Sequence, residues 1–236
     1  KIASLGAREP HLPLFLKAKE MGLETYCFAW NQGAYCKDYA DHYYDISIVD
    51  KEQIAQVCLK EQINGIISNA LEITVPTMAY VSELLGLNGI SYTAALDARN
   101  KFQMREKVTN QLACQQPNYK LYQSGYTPSS YPVIVKPVDG SCSNGVTKVS
   151  KKEDFAEALS RASQASSNNC ILIEEYIEGK EVSVESISFH GKHYVLTITD
   201  KETTGAPYFV ETAHHQPSIL PLYIQEKLKC AVTSIL

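Results

Sequence analysis

The sequence predicts a chain of two parts, an α/β part followed by an α+β part, and two observations lead to this prediction. Over about the first ninety residues, short apolar runs alternate with helical patterns, which is typical of parallel strands joined by right-handed crossovers. From Glu181 onward, apolar and polar residues alternate as they do in antiparallel strands. With 44% hydrophobic and 20% charged residues, the 236-residue chain has the composition of a globular protein of one or two domains.

Four strands with helices between them are predicted in the first part. Gly22 ends the first helical pattern, and Asp50 with Gln53 has the spacing of a capping box at the start of the second. A third helix is predicted at 73–85. We expect the strands at residues 1–5, 25–29, 45–49 and 65–68.

The second part is predicted to open with a helix over 93–112 that is broken near Asn100. A compact unit follows, in which a helix capped by Ser150 with Glu153 buries one apolar face. Pro221 stands where a proline belongs in the first turn of a last helix. The strands of this part are expected near Leu121 and at 133–136, 146–149, 170–174, 182–187, 194–198 and 208–210.

Charge and cysteine usage exclude several classes of function. The net charge is −4 and no stretch is strongly basic, which argues against a nucleic-acid or membrane partner. No segment approaches the roughly 20 apolar residues that a membrane span needs. Seven cysteines without a C-x-x-C pair indicate free thiols in a reducing cytoplasm. We place no metal ligand in the chain, since the adjacent His214 and His215 would point apart on a strand.

The loop at residues 136–145 is the most informative motif. Gly140 and Gly145 bracket small side chains, so that backbone N–H groups of the loop can approach an anion. Val146 follows the second glycine where a Walker P-loop has lysine, and Lys136 instead precedes the loop at the end of a strand. Taken alone, the loop is also compatible with a purely structural hairpin.

The strand at 170–174 ends in charged residues that can serve a heterocyclic ligand. Glu174 and Glu175 close the strand, and Glu181 follows after a short extended segment. Extended backbone there can offer a carbonyl and an N–H to the edge of a flat heterocycle, and Glu181 can accept from sugar hydroxyls. A solvated acidic turn is the alternative.

A third stretch, residues 97–105, is basic. Helical spacing puts Lys101 and Arg105 on one face of the predicted helix. On its own, this pattern also fits an ordinary solvent-exposed basic face.

In this order and spacing, the three stretches resemble the ATP-grasp superfamily, and in particular its members related to carbamoyl phosphate synthetase, purine biosynthesis enzymes and L-amino acid ligases. Residues 100–105 resemble the lysine–methionine–arginine helix of the family, and residues 131–137 with the glycine loop are a close match. Residues 209–211, followed by His214 and Pro217, resemble the strand that leads to the substrate side. The resemblance implies a Rossmann-like parallel-sheet domain at 1–92 and an incomplete ATP-grasp fold at 93–236, with a lid subdomain at about 115–176.

The resemblance implies a nucleotide site. Lys101 and Lys136 would hold the α- and β-phosphates of ATP, and the glycine loop would close over the β- and γ-phosphates as a lid. Backbone groups of Glu175 and Ile177 would pair with the adenine edge, Glu174 would support the purine amino edge or the lid, and Glu181 would take the ribose hydroxyls. The implied residues are Lys101, Lys136, Gly140, Ser141, Ser143, Gly145, Glu174, Glu175, Ile177 and Glu181.

The implied reaction is an ADP-forming ligation of a small carboxylate to an amine (or thiol) through an acyl phosphate. ATP and Mg²⁺ would be the cofactors, with the magnesium ligands of the family, a Glu and a Glu-x-Asn motif, expected beyond Leu236. We therefore expect a chain that ends before the metal-binding part and is inactive alone, and whose uncovered apolar surface favours a homodimer. A non-catalytic ATP-binding or sensing module is the alternative.

Substrate contacts are predicted at strand ends. In the first part, Arg8 follows the first strand and Glu72 follows the fourth, at the edge where open α/β sheets bind ligands. Glu72 would recognise an amine, or would simply interact with a helix N-terminus. By the resemblance, Lys201, Glu211 and His214 would line the acyl-acceptor side. A nicotinamide-dependent oxidoreductase is disfavoured, because the glycine fingerprint expected after the first strand is missing.

Overall fold

A computed structural model describes residues 1–109 and 114–236 of the chain. Within these residues the chain forms two compact units, Lys1–Arg99 and Asn100–Leu236. In the described residues, no helix is long and apolar enough to cross a lipid bilayer.

The first unit is built on a parallel sheet of four strands in the order β3-β2-β1-β4. Both central strands are largely buried, because helices cover a parallel sheet of this kind on its faces. The predicted parallel α/β fold is confirmed. The strands are β1 (Ile2–Leu5), β2 (Thr25–Phe28), β3 (His42–Tyr44) and β4 (Gly65–Ile67).

The third strand lies earlier than the sequence predicts. His42–Tyr44 pairs with β2, and the prediction of a strand at 45–49 is wrong. Ile46 and Ile48 lie in a loop, and their apolar side chains pack against the core of the unit. Burial of apolar side chains therefore does not require strand pairing at this position.

The helices of the first unit connect and cover these strands. Asp50 caps the second helix as predicted, since its carboxylate accepts a hydrogen bond from the Gln53 N–H at 3.1 Å. Gly86, at φ 65°, ends the third helix in the left-handed conformation. The helices are α1 (Leu12–Glu20), α2 (Lys51–Lys60), α3 (Val75–Leu85) and α4 (Tyr92–Arg99), with single 3₁₀ turns at Glu9–His11, Lys37–Tyr39 and Glu72–Thr74.

Helix α4 belongs to the first unit, which ends at Arg99. The sequence places the domain boundary at Tyr92, seven positions earlier. The Tyr92 ring packs edge-on against Tyr80 of α3, with the ring centroids 5.5 Å apart. Lys51 of α2 also donates to the Tyr92 hydroxyl at 2.8 Å. These contacts tie α4 to the core of the first unit.

The second unit contains two antiparallel sheets. The first has the strand order β5-β8-β6-β7 and packs against α6. The second is a sheet of three strands in the order β11-β10-β9. The elements are α5 (Lys101–Val108), β5 (Tyr119–Leu121), β6 (Val133–Pro137), β7 (Thr147–Val149), α6 (Phe155–Ala165), β8 (Ile171–Glu175), β9 (Val182–Phe189), β10 (Lys192–Thr203), β11 (Glu211–His215) and α7 (Leu222–Ile235).

The predicted break near Asn100 is confirmed. Asn100 has extended backbone, with φ −103° and ψ 104°, and its side chain caps α5 by accepting from the Gln103 N–H at 3.0 Å. The predicted helix over 93–112 is therefore two helices, and its last three residues lie outside the described part of the chain. The cap starts α5 as a separate helix at Lys101. The helix then places Lys101 and Arg105 one turn apart.

Two other local predictions are wrong. The expected strand at 208–210 is a loop, in which Phe209 has φ 52° and the Thr204 N–H donates to the Val210 carbonyl at 2.8 Å. The expected capping box at the start of α6 does not form there. A 3₁₀ turn at Lys152–Asp154 leads into that helix instead, and the N-cap Asp154 makes no capping hydrogen bond with its side chain.

Candidate functional site

Lys136 and Glu174 form a buried ion pair on the four-stranded sheet. Strands β6 and β8 are antiparallel, with Lys136 opposite Leu172 and Ile134 opposite Glu174, so that the two charged residues are diagonal neighbours. The Lys136 Nζ lies 2.5 Å from the Glu174 Oε2, and Glu174 is only 4% exposed. The structure thus joins two residues that the sequence assigns to one nucleotide site.

Arg105 of α5 binds the same carboxylate. Its Nε donates to the Glu174 Oε1 at 2.8 Å and its Nη2 to the Oε2 at 3.4 Å. Its Nη1 donates to the Gln116 Oε1 at 2.7 Å. Arg105 is absent from the predicted nucleotide-binding residues, although its four-residue spacing from Lys101 was a signal that could have included it.

Burial and charge act in opposite directions on this cluster. Burial alone would raise the pKa of Glu174, but the hydrogen bond from Arg105 and the charge of Lys136 hold it below the ordinary value of 4.5. Burial lowers the pKa of Lys136 from its ordinary value, although Glu174 opposes this shift. The cluster thus joins one carboxylate to two basic side chains, those of Lys136 and Arg105.

Lys101 contacts the glycine loop directly. Its backbone N–H donates to the Val138 carbonyl at 3.0 Å, and its Nζ donates to the Gly140 carbonyl. A Cβ at Gly140 would lie 2.7 Å from the Pro137 Cγ, so that the chain is closely folded on itself here. Within the loop, the Ser141 carbonyl accepts from the Asn144 N–H at 3.1 Å.

The far end of the loop is fixed by packing and by a hydrogen bond. Gly145 has φ 75°, and a Cβ there would lie 2.6 Å from the Cβ of Ala165 in α6. Cys142 and Ser143 also have left-handed backbone, with φ 54° and 55°. The Ser143 Oγ donates to the Phe209 carbonyl at 2.9 Å. The loop is thereby connected to the segment before β11.

The residues at the end of β8 and just after it present both backbone and aromatic groups. The Glu175 N–H is taken by the Asn118 carbonyl at 2.8 Å, and its carboxylate accepts from the Asn118 Nδ2 at 2.9 Å. Ile177 is 60% exposed. Tyr176 packs between a stacked Phe209 ring, with centroids 6.1 Å apart, and the Lys148 Nζ, 3.6 Å from its ring centroid.

A second charged cluster lies on the three-stranded sheet. The Lys201 Nζ binds the Glu181 Oε1 at 2.7 Å and also binds the Glu211 carboxylate. The His214 Nε2 lies 3.1 Å from the other oxygen of Glu211. Glu181, assigned to ribose, is thus grouped with the three residues assigned to the acyl-acceptor side, and not with Lys136 in an ion pair.

The charge distribution in this cluster shifts two pKa values. Burial would lower the pKa of Lys201, but its hydrogen bonds to Glu181 and Glu211 raise it above 10.5. The hydrogen bond from Lys201 lowers the pKa of Glu211. Lys201 and Glu211 are therefore both charged at neutral pH.

Arg8 and Glu72 lie at one edge of the parallel sheet in the first unit. They follow β1 and β4, which are adjacent parallel strands, and both residues are exposed. The Arg8 carbonyl accepts from the His11 N–H at 2.9 Å, which holds the chain in a turn at this edge. The placement agrees with the edge at which such sheets bind ligands.

Within residues 1–109 and 114–236, no group of three or more His, Cys, Asp or Glu side chains is arranged to hold a metal ion. His214 and His215 contact different carboxylates, those of Glu211 and Glu202.

Residues 129–236 match the family model of the ATP-grasp domain. The resemblance to the ATP-grasp superfamily inferred from the sequence is therefore confirmed for this part of the chain. The mixed architecture of a parallel sheet followed by antiparallel sheets also agrees with the predicted fold class.

A ligase is among the relatives in sequence, and a second ligase is among the solved structures that share the fold. The chain is 26% identical over 204 residues to alanine–anticapsin ligase of Bacillus subtilis, an alignment that covers 75% of this chain and 43% of that protein. The crystal structure of L-amino acid ligase from Bacillus licheniformis superposes with a TM-score of 0.78 at 23% identity and covers 100% of this chain and 60% of that one.

A third relative was solved with a nucleotide. The biotin carboxylase domain dimer of the Hydrogenobacter thermophilus 2-oxoglutarate carboxylase, in complex with MgADP, ADP and bicarbonate, superposes with a TM-score of 0.77 at 18% identity. The superposition covers 57% of that chain and 100% of this one. The chain thus spans about half the length of these relatives, and the solved structures establish a shared fold alone.

Proposed function

We propose that this chain binds ATP in an ADP-forming ligase that joins a carboxylate to an amine or thiol through an acyl phosphate. The observation that supports the proposal best is the position of Lys101 and Lys136 beside one glycine loop. Lys101 contacts the loop carbonyl of Gly140, and Lys136 is the last residue but one of β6, the strand that leads into the loop. Two ammonium groups and a glycine-rich loop suit a triphosphate.

The glycine loop is proposed as the lid of the site. Its hydroxyl groups, on Ser141 and Ser143, would face the β- and γ-phosphates together with the backbone near Gly145. The Ser143 contact with Phe209 would have to open or shift during nucleotide exchange. A lid that closes on ATP excludes water, which protects an acyl phosphate from hydrolysis.

The purine and the ribose are proposed to lie beside the end of β8. Backbone groups at Glu175 and Ile177 would pair with the adenine edge, and the exposure of Ile177 supports this use. Because Asn118 already takes the Glu175 N–H, we expect Glu175 to contribute its carbonyl. The Glu181 side chain, 51% exposed, would exchange part of its contact with Lys201 for the ribose hydroxyls.

The chemistry we propose requires positioning and charge neutralisation more than a covalent side chain. A carboxylate substrate would attack the γ-phosphate, and the amine would then displace phosphate from the acyl phosphate. Lys201, Glu211 and His214 are the proposed acyl-acceptor side, and Arg8 and Glu72 are proposed contacts of the first unit. Mg²⁺ belongs to the proposal as the ion that would neutralise the phosphates, and the MgADP in a structural relative supports it.

Calorimetric titration with ATP tests the nucleotide site. We expect Lys136→Ala to weaken ATP binding about tenfold or more, because a hydrogen bond to a charged group contributes about 1.5–3 kcal/mol. Lys152→Ala, which removes an exposed cation of the same unit, is the matched control. Equal ATP affinity in the wild-type chain and in Lys136→Ala would count against the proposal.

Turnover separates a ligase from an ATP-binding module without catalysis. ADP release that depends on both a carboxylate and an amine supports the ligase, and it should be assayed with pairs of amino acids. ATP binding without any ADP release, in the complete protein, would favour the sensing alternative.

A homodimer and a cytoplasmic location complete the proposal. Four apolar side chains of the β9–β10 hairpin are more than half exposed, and this supports self-association through that face. They are Ile187, Phe189, Tyr194 and Leu196. Sedimentation velocity of Leu196→Glu against the wild-type chain tests the dimer.

The seven free thiols support the proposed location in a reducing compartment.

A further inference from the structure

The Glu174 carboxylate is shared by two cations that come from different elements. Arg105 of α5 holds both carboxylate oxygens, and Lys136 of β6 holds one of them at 2.5 Å. The third nitrogen of the guanidinium is held by Gln116, so that Arg105 is fixed on both sides. The Glu174 side chain is 5% exposed and that of Lys136 is 15% exposed, whereas that of Arg105 is 30% exposed.

One carboxylate and one buried ammonium would neutralise each other. A Lys136–Glu174 pair alone would have no net charge and little attraction for a phosphate group. Arg105 adds a second positive charge, so that the cluster of three side chains is positive as a whole. The ammonium can then attract an anion while it remains beside Glu174.

Arg105 also lowers the cost of moving the lysine. If Lys136 turned from Glu174 toward a phosphate without Arg105 present, a buried carboxylate would be left unpaired, which is strongly unfavourable. With Arg105 in place, Glu174 keeps a bidentate partner when the ammonium moves. We infer that Arg105 is a positioning residue of the nucleotide site, which acts through Glu174 to make Lys136 available to a phosphate group of the ligand. This inference rests on the proposed function.

Calorimetric titration of the whole chain with ATP and with adenosine tests the inference. We expect Arg105→Ala to weaken ATP binding about tenfold, which corresponds to about 1.4 kcal/mol, and to leave adenosine binding unchanged. Arg105→Lys keeps the charge but loses the bidentate contact, so that its ATP affinity should lie between those of the wild-type chain and Arg105→Ala. A merely structural role would lower the affinity for both ligands, because damage to the fold does not distinguish a phosphate from a purine.

The double variant Arg105→Ala with Glu174→Gln provides a second readout. Without the carboxylate, the Lys136 charge is no longer neutralised, so that the double variant should bind ATP more tightly than Arg105→Ala alone. Lys152→Ala, an exposed cation of the same unit, is the control and should bind as the wild-type chain does.

The possible outcomes separate this inference from the proposed function. If the wild-type chain binds ATP and Arg105→Ala binds it equally well, the inference is overturned and the nucleotide site stands. Failure of the double variant to recover affinity also overturns it. If the wild-type chain binds no ATP, the proposed function fails, and the inference fails with it.

Discussion

The Lys201 ammonium of β10 binds the Glu211 carboxylate of β11 and, at the same time, the carboxylate of Glu181, which precedes β9. A single cation thus separates two carboxylates that would otherwise face each other. The Lys201 side chain is 13% exposed, whereas Glu181 and Glu211 are 51% and 41% exposed. The cation is therefore the least accessible member of the cluster.

Replacing this cation should destabilise the second unit at neutral pH. Lys201→Met keeps an apolar stem and leaves Glu181 and Glu211 to repel each other, so that we expect a loss of about 0.5–1 kcal/mol. Because Lys201 lowers the pKa of Glu211, this part of the stability is present above the ordinary value of 4.5 and is lost as the pH falls. Urea denaturation at pH 7 and at about pH 3.5 measures both effects.

Lys192→Met, at an exposed position of the same strand, is the control for the loss of one positive charge. It should change the free energy of unfolding less than Lys201→Met does at pH 7. A difference between Lys201→Met and the wild-type chain that stays constant with pH would show that the carboxylates do not carry the effect.

Glu174→Gln should produce a larger loss, because the side chain is buried between two cations. Removing one partner of a buried ion pair costs about 3 kcal/mol, and here the two remaining charges are both positive. The lowered pKa of Glu174 means that its contribution is present above 4.5 and disappears as the pH falls through the folded-state pKa. The free energies of the variant and of the wild-type chain should therefore converge in acid.

The neighbouring Glu175→Gln is a matched comparison for Glu174→Gln. Glu175 is exposed and its carboxylate accepts from the neutral Asn118 side chain. Glu175→Gln should cost less stability at pH 7 than Glu174→Gln does. An acid titration in which both variants behave alike would contradict the role assigned to Glu174.

Gly145→Ala should destabilise the glycine loop for two separate reasons. Left-handed backbone at φ 75° disfavours a side chain by about 1–2 kcal/mol, and the new Cβ would lie 2.6 Å from the Ala165 Cβ of α6. We expect a total loss above about 2 kcal/mol in thermal unfolding. Gly191→Ala, at φ 72° with no heavy atom within 4 Å, should show the backbone cost alone.

The sequence could predict the strands and the loop of the candidate site because these follow from local patterns. The run at 133–135 alternates buried and half-buried residues in β6, and the glycines of the loop need backbone that few other residues adopt. Lys136 stands directly before that loop. Its place beside the candidate site was therefore readable from local order in the chain.

The partners of the charged residues could not be predicted in the same way. Arg105 and Glu174 are 69 positions apart, and their contact depends on how α5 lies against β8. The Lys201 contact with Glu181 depends likewise on how the chain enters β9, where Glu181 accepts the Lys201 N–H through its carbonyl. The hydrophobic periodicity of a short stretch does not determine how a helix packs against a sheet or how distant strands are aligned.

Buried thiols of the first unit should be chemically inert while the chain is folded. Burial raises the pKa of Cys27 and of Cys58 to about 12, so that at pH 8 only about one molecule in ten thousand has either thiol ionised. Cys142, Cys170 and Cys230 are exposed, and iodoacetamide should label these three first under native conditions, as mass spectrometry of peptides can measure. Labelling of Cys58 at the rate of Cys230 would show that the first unit opens locally far more often than its fully buried core implies.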